Sequence, residues 1–223
     1  MNTLIHPGQT LWWACAIPLA VSVVLAVTYA PWKALWRVGE RFRLWCAWIG
    51  FCGVFWLLNV NIVDVIAFHP LVVMAAVILF GWELGVLSGL LALALNFWIR
   101  QQGWETFVID GWLSVVVPSL ASIGVLRLIA NIPKKNIFVF ILGGGFFGAM
   151  VSVLAMLGAS FTWFSLTGAT SLTVMLSDYA WMLALMLFPE GFINGAIVTM
   201  VTVLWPSLVR TYDDAVYLSE RPE

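Results

Sequence analysis

Between residues 11 and 209 one long apolar run follows another, separated by short polar interruptions, and this pattern predicts helices stacked across a bilayer. Clear spans fall at about 11–31, 44–63, 112–130 and 136–158, with two longer tracts at 65–99 and 168–207. A crossing takes about 20 residues at 1.5 Å each. The first tract is read as two short crossings, 67–80 and 84–99, around the turn Gly81-Trp82-Glu83. The second is read as one crossing, 187–207, preceded by a separate helix over 168–186 that dips into or lies on the outer surface. Pro189, which supplies no backbone N–H, marks the break between them. The expected fold class is all-α: a polytopic membrane helix bundle of about seven transmembrane helices, one integral domain over 1–223 with a short cytoplasmic tail at 208–223.

Basic residues orient this arrangement. Lys33, Arg37, Arg41 and Arg43 lie between the first two spans, Arg127, Lys134 and Lys135 between the fifth and sixth, and Arg210 and Arg221 after the last. Two crossings in the first tract and one in the second gather all of these on one side and leave Arg100 on the other. The positive-inside rule makes the crowded side cytoplasmic, with the N-terminus outside and the C-terminus inside. Eight crossings is the alternative. Trp12, Trp13, Trp32, Trp36, Trp98, Trp104 and Trp205 sit near segment ends, where indoles favour the headgroup layer.

Composition agrees: hydrophobic residues make up 63% of the chain against 9% charged, so a water-soluble globule has no way to hide them. Ten Lys and Arg against eleven acids give no basic field for nucleic acid. Before Leu11 no side chain carries a formal charge, so the first span lacks the cationic lead of a cleavable signal peptide and is expected to stay as a helix. Cys15, Cys46 and Cys52 are an odd set without a CxxC spacing, which points to buried thiols rather than a disulfide framework or zinc site. Gly85 with Gly89, Gly191 with Gly195, and Gly143-Gly144-Gly145 before Gly148 suit close helix approach.

Ionisable groups in hydrocarbon cost a few kcal/mol each, so each one asks for a reason. The topology puts Asp64, His69 and Asp110 at or near outer ends of spans, Glu83 at an inner turn, and Asp178 and Glu190 in the final tract. Counted from the inner end of a helix over 187–207, Glu190 falls in the outer third, on the side of His69. Asn59, Asn61 and Asn194 complete an outward-facing polar pocket in this reading. His69 and His6 are the only two histidines, and a neutral imidazole suits cobalt, nickel, copper or zinc. The plainer alternative makes His69 the cap of a short helix and His6 a solvated side chain. No GxxxxGK[ST] loop, HExxH or Ser/His/Asp arrangement occurs, and two histidines outside helix interiors argue against a bis-imidazole haem. Neither ATP hydrolysis by a P-loop nor enzyme chemistry is expected, and no resident cofactor.

Phe68-His69-Pro70 leading to an apolar helix, then Phe80-Gly81-Trp82-Glu83-Leu84-Gly85 and a second apolar helix, resembles the cobalt/nickel permeases of the CbiM/NikM type. The tail Phe188-Pro189-Glu190-Gly191-Phe192-Ile193-Asn194-Gly195, with Trp205-Pro206 and Thr211-Tyr212-Asp213-Asp214 through Tyr217-Leu218, is similar to a proteobacterial branch of energy-coupling factor permease-like membrane proteins. The resemblance covers roughly 65–218. It implies seven helices with the N-terminus outside, a transmembrane coupling subunit and cytoplasmic ATPase subunits as partners, and Co²⁺ or Ni²⁺ as substrate. It also implies a metal site built from the terminal amine, a histidine at the second position and a later histidine that His69 matches. Position two here is Asn2, and His6 is too far from the amine to close the same chelate rings. His69 and His6 are thus the candidate metal ligands, and His69, Glu190, Asp64 and Asn194 the candidate substrate-binding set. The expected function is the substrate-binding membrane component of an energy-coupling factor type importer in the bacterial inner membrane; the alternative is a non-transport scaffold or assembly subunit on the same fold.

Overall fold

The computed structural model describes residues 9–58, 60–63, 66–133, 135–168 and 172–218. Helix α1 (Gln9–Tyr29) descends from one end of the bundle to the other. A short helix α2 (Trp32–Arg37) turns the chain, and α3 (Gly39–Phe55) climbs back. A small antiparallel hairpin, β1 (Val60–Val63) with β2 (Ile66–Phe68), follows at that far end, Val60 opposite Phe68 and Asn61 opposite Ala67. The expected span at 44–63 is therefore corrected. Its helix begins earlier and stops at Phe55, and the β-branched Val60, Ile62 and Val63 take the extended form their stiff side chains prefer.

Helix α4 (Val73–Arg100) is two arms rather than one rod. Gly81 has φ 81 and ψ 170, a backbone region open essentially to glycine alone, and the chain doubles back there. A Cβ on Gly85 would lie 3.3 Å from the Cα of Val77, whereas eight residues of straight helix separate two positions by about 12 Å. The far ends of both arms meet the same neighbours: His69, just before the first arm, lies against Trp56, and Arg100, at the end of the second, donates to the Leu57 carbonyl. The turn expected at Gly81-Trp82-Glu83 is thus a helical hairpin. Its first arm, 73–80, spans only roughly 12 Å at helical rise, so the helical part of the expected crossing 67–80 is shorter than the sequence pattern implied.

Helices α5 (Trp104–Asp110) and α6 (Val117–Ala130) are joined without a break by a π-helical turn, Gly111–Val116. A second π-helical stretch, Val139–Phe147, runs into α7 (Gly148–Thr167). Both spans start or extend beyond the apolar windows expected for them, because a hydropathy profile does not register the polar turns that helices carry past the hydrocarbon. Helix α8 (Leu172–Leu204) passes through Pro189 as one element. The separate helix over 168–186 and the break at Pro189 are therefore overturned: proline costs α8 one intrahelical bond, and the helix continues past it. A 3₁₀ turn, Pro206–Leu208, and the short α9 (Asp214–Tyr217) close the chain.

Five described helices are long and apolar enough to cross a membrane: Leu11–Tyr29, Val73–Arg100, Trp104–Ala130, Val139–Thr167 and Leu185–Leu204. Helix α3, at 17 residues, and the first arm of α4 are the short passes that separate this set from the seven expected. Small residues make the packing close where α8 meets the π-helical stretch: a Cβ on Gly145 would lie 3.2 Å from the Cα of Gly195. Cys15 and Cys52 are buried, as expected of the thiols, but Cys46 is exposed on the outer face of α3.

The charges segregate along the bundle. Arg41, at the start of α3, donates to the Ser207 carbonyl at 2.6 Å, and Arg210 reaches the hairpin tip, so the α2–α3 turn, Gly81 and the segment after α8 share one end. The connection between α6 and α7 lies there too, since Phe140 packs, with rings tilted, against Tyr212 and Tyr217. Lys33, Arg37, Arg41, Arg43, Arg127, Lys135 and Arg210 thus occupy the basic end, and Arg100 the opposite one.

Candidate functional site

The most deeply covered stretch of the described chain runs from Leu71 to Gly81, buried without interruption. A short helix in such a place has open backbone groups at both ends: its first N–H and last C=O groups have no intrahelical partner, and no water is at hand. Leu71-Val72-Val73 contains no Ser, Thr, Asn or Asp to cap the start, and Val72 has φ 49, a left-handed conformation rare for a β-branched residue. The caps come from elsewhere.

At the N-terminal end they come from α8. Glu190 Oε2 accepts the Leu71 N–H at 2.8 Å and Oε1 accepts the Val72 N–H at 2.7 Å. Asn194, one turn further along α8 on the same face, accepts the Ala75 N–H through Oδ1 at 2.9 Å and donates Nδ2 to Glu190 Oε1 at 2.8 Å. Glu190 is 2% exposed and Asn194 0%. A negative carboxylate at the positive end of a helix is the favourable sign of pairing, and the two amide bonds hold Val72 in its strained conformation. Glu190 therefore faces protein.

At the other end the segment after α8 supplies donors. The Arg210 N–H bonds the Leu79 carbonyl at 3.0 Å, Thr211 Oγ1 the Ile78 carbonyl at 2.9 Å, and Arg210 Nη1 the Phe80 carbonyl at 3.0 Å. The same Nη1 forms an ion pair with Glu83 Oε2 at 2.7 Å. One helix and its tail thus cap both ends of the first arm of α4.

His69 precedes this arm, at the far end from the basic charges. Its ring is 6% exposed and packs on Trp56 with centroids 4.9 Å apart, and Nδ1 lies 3.3 Å from the Pro70 carbonyl. Burial, the largest influence, pushes the imidazolium well below the usual histidine range, so the ring is neutral at physiological pH. A neutral imidazole is the form that offers a lone pair to a transition metal. The structure brings His69, Glu190 and Asn194 to one turn, with Glu190 and Asn194 bonded to its backbone. The amides of Leu71, Val72 and Ala75, which open the arm, are held by Glu190 and Asn194.

His6, Asn2, Asn59 and Asp64 lie outside the described residues, as do the side chains of Asn61 and Asp178. Among the described residues no group of three or more His, Cys, Asp or Glu is placed to hold a metal. Asp110, expected near an outer end, is fully buried where α5 passes into the π-helical turn. Sequence reasoning missed Arg210, Thr211 and Trp56 as partners of this region. The signal for a cap from another helix was there in the chain: a helix opening on Leu-Val-Val has nothing of its own to satisfy its amides.

Comparison with known families matches residues 5–208 to the one described as the cobalt uptake substrate-specific transmembrane region. No curated protein and no solved structure matches the chain.

Proposed function

The chain belongs to the family of cobalt uptake substrate-specific transmembrane regions, a transport family, and on that premise we propose that it captures a divalent first-row transition metal at the outer end of the bundle for an energy-coupling factor type importer. His69 is the metal-facing ligand in this reading. The amino-terminal segment carrying His6 supplies further donors, and Asp64 lies near enough in sequence to add charge. Glu190 and Asn194 act as positioning residues: they fix the His69–Val72 turn and leave coordination to others. A transmembrane coupling subunit and cytoplasmic ATPase subunits move the ion, since the chain has no P-loop of its own. The N-terminus is outside and the C-terminus inside the bacterial inner membrane.

The observation that supports this most is the neutral, nearly covered His69 held on a turn whose backbone is pinned by two buried polar side chains. Preorganisation of that kind suits a ligand kept ready for an ion. Calorimetry on purified protein at neutral pH tests it: Co²⁺ or Ni²⁺ binding should be abolished in His69→Ala and weakened in His6→Ala. Absence of binding for cobalt, nickel, copper and zinc alike would remove the metal reading.

A second reading, a scaffold or assembly subunit on the same fold, is favoured by one feature: among the described residues no group of three or more His, Cys, Asp or Glu is placed to hold a metal. Gentle purification separates the two, since an importer component co-elutes with ATPase subunits and a scaffold does not.

A further inference from the structure

Glu190 and Asn194 bond the main chain of Leu71, Val72 and Ala75, which fixes a turn but not the direction of a ring. The His69 imidazole hangs beside that turn by two torsions, and the outer one, at an sp³–sp² bond, has a broad and nearly two-fold profile. A half-turn about it puts ring carbons where the nitrogens were. A ligand that must offer a lone pair at one place therefore needs its ring held as well as its backbone.

Two contacts hold it. The Pro70 carbonyl lies 3.3 Å from Nδ1, and a carbonyl only accepts, so Nδ1 carries the proton and Nε2 the lone pair. That contact sets which way round the ring sits. Its plane is set by Trp56, whose indole lies against the imidazole with centroids 4.9 Å apart and planes 33° from parallel. The indole has a firm base. Trp56 ends α3, where its N–H bonds the Cys52 carbonyl at 2.9 Å and the N–H groups of Leu57 and Leu58 close the next turn on Val54 and Phe55 at 3.0 Å. Arg100 Nη2 ties the Leu57 carbonyl to the end of α4 at 2.9 Å. The Trp56 side chain is 2% exposed, and among the described residues nothing accepts its Nε1–H, so it meets His69 with its face and not with its donor.

We propose that Trp56 is a positioning residue for metal capture: its indole holds the His69 ring in the plane and tautomer that present Nε2 to the incoming ion. The proposal rests on the metal-capture reading. Helices α3 and α8 then divide the task, α8 pinning the turn and α3 backing the ring. A flat aromatic face is what the role requires, since a branched aliphatic side chain of similar bulk leaves the imidazole free to rotate.

Nitrogen NMR of isotopically labelled histidine reads the ring without any metal. The chain has two histidines, so the full protein in detergent gives two sets of signals, and His69→Ala assigns them. At neutral pH, free of metal, His69 should show a protonated Nδ1 and an unprotonated Nε2. In Trp56→Leu both nitrogens should move toward the average of two tautomers, whereas Trp56→Phe, which keeps a flat face, should retain the separate pair. Co²⁺ affinity by calorimetry should fall about tenfold in Trp56→Leu and less than about threefold in Trp56→Phe. Mixed tautomers in the unaltered protein would overturn the role without any variant having to fold. So would a pair of signals in Trp56→Leu as distinct as in the parent, and an averaged ring with undiminished Co²⁺ affinity would break its link to capture. If the unaltered protein binds neither Co²⁺ nor Ni²⁺, the metal-capture reading fails, and the nitrogen signals still decide whether Trp56 holds the ring.

Discussion

Glu190 accepts hydrogen bonds from two backbone amides and one side-chain amide in a place water does not reach, so its removal exposes an energetic cost on both sides of the contact. In Glu190→Gln one oxygen becomes an NH₂ aimed at an N–H. At least one bond is lost and the charge facing the helix start disappears, for a combined destabilisation of roughly 2–4 kcal/mol. Thermal unfolding in detergent should show it, with membrane insertion unaffected. If metal binding is measured alongside, it should weaken through displacement of His69, and restoring the turn by other means should recover it. Tyr212 offers an independent residue-scale check. Burial first, and the Asp214 and Asp213 carboxylates second, push its phenol up to about 12, and burial also raises Tyr217. The folded protein therefore keeps these protons after the unfolded chain has lost them. Their contribution to stability is complete below about pH 10 and is lost as the pH rises toward 12. An alkaline absorbance titration that compares the protein with Tyr212→Phe and Tyr217→Phe should assign late-ionising phenols to both positions.

The hairpin of α4 hinges on one residue. Gly81→Ala places a Cβ both in a forbidden backbone region and against the Arg210 guanidinium, so a loss of about 1–3 kcal/mol and a displaced Glu83–Arg210 pair are expected. An unfolding comparison with Gly124→Ala, a helical site whose added Cβ meets nothing within 4 Å, supplies the baseline for a glycine replaced without strain or clash. Much at this scale was legible beforehand. Gly81-Trp82-Glu83 read as a reversal because basic residues before and after it had to end on one side. The run of glycines read as close approach. What the chain hid was helix length where hydrophobicity does not change. Residues 56–63 are nearly as apolar as the helix before them, so only the β-branched Val60, Ile62 and Val63 hinted at strands. Pro189 misled for the opposite reason: one missing N–H is a small loss in a helix of 33 residues braced on its neighbours. At the site, the pairing of Glu190 with Asn194 on one face was readable from their spacing of four. Their partners were backbone amides, which carry no mark in a sequence.

For the whole molecule, the segregation of charge predicts orientation. Reporter fusions after Arg43 and after Lys135 should read cytoplasmic, and one near Gln102 external, because these points lie at the basic and opposite ends. An external signal after Lys135 would reverse the bundle and move His69 to the cytoplasm. The double capping of the first arm has a mechanical meaning as well. Glu190 and Arg210 belong to one helix and its tail, and between them they grip an object too short to bend. The outer turn and the hairpin tip are therefore yoked: a displacement of α8 along its own axis carries both as passengers. The 3₁₀ turn at Pro206–Leu208 sets the slack of that yoke: whatever it does not take up, a push along α8 passes on to the histidine turn.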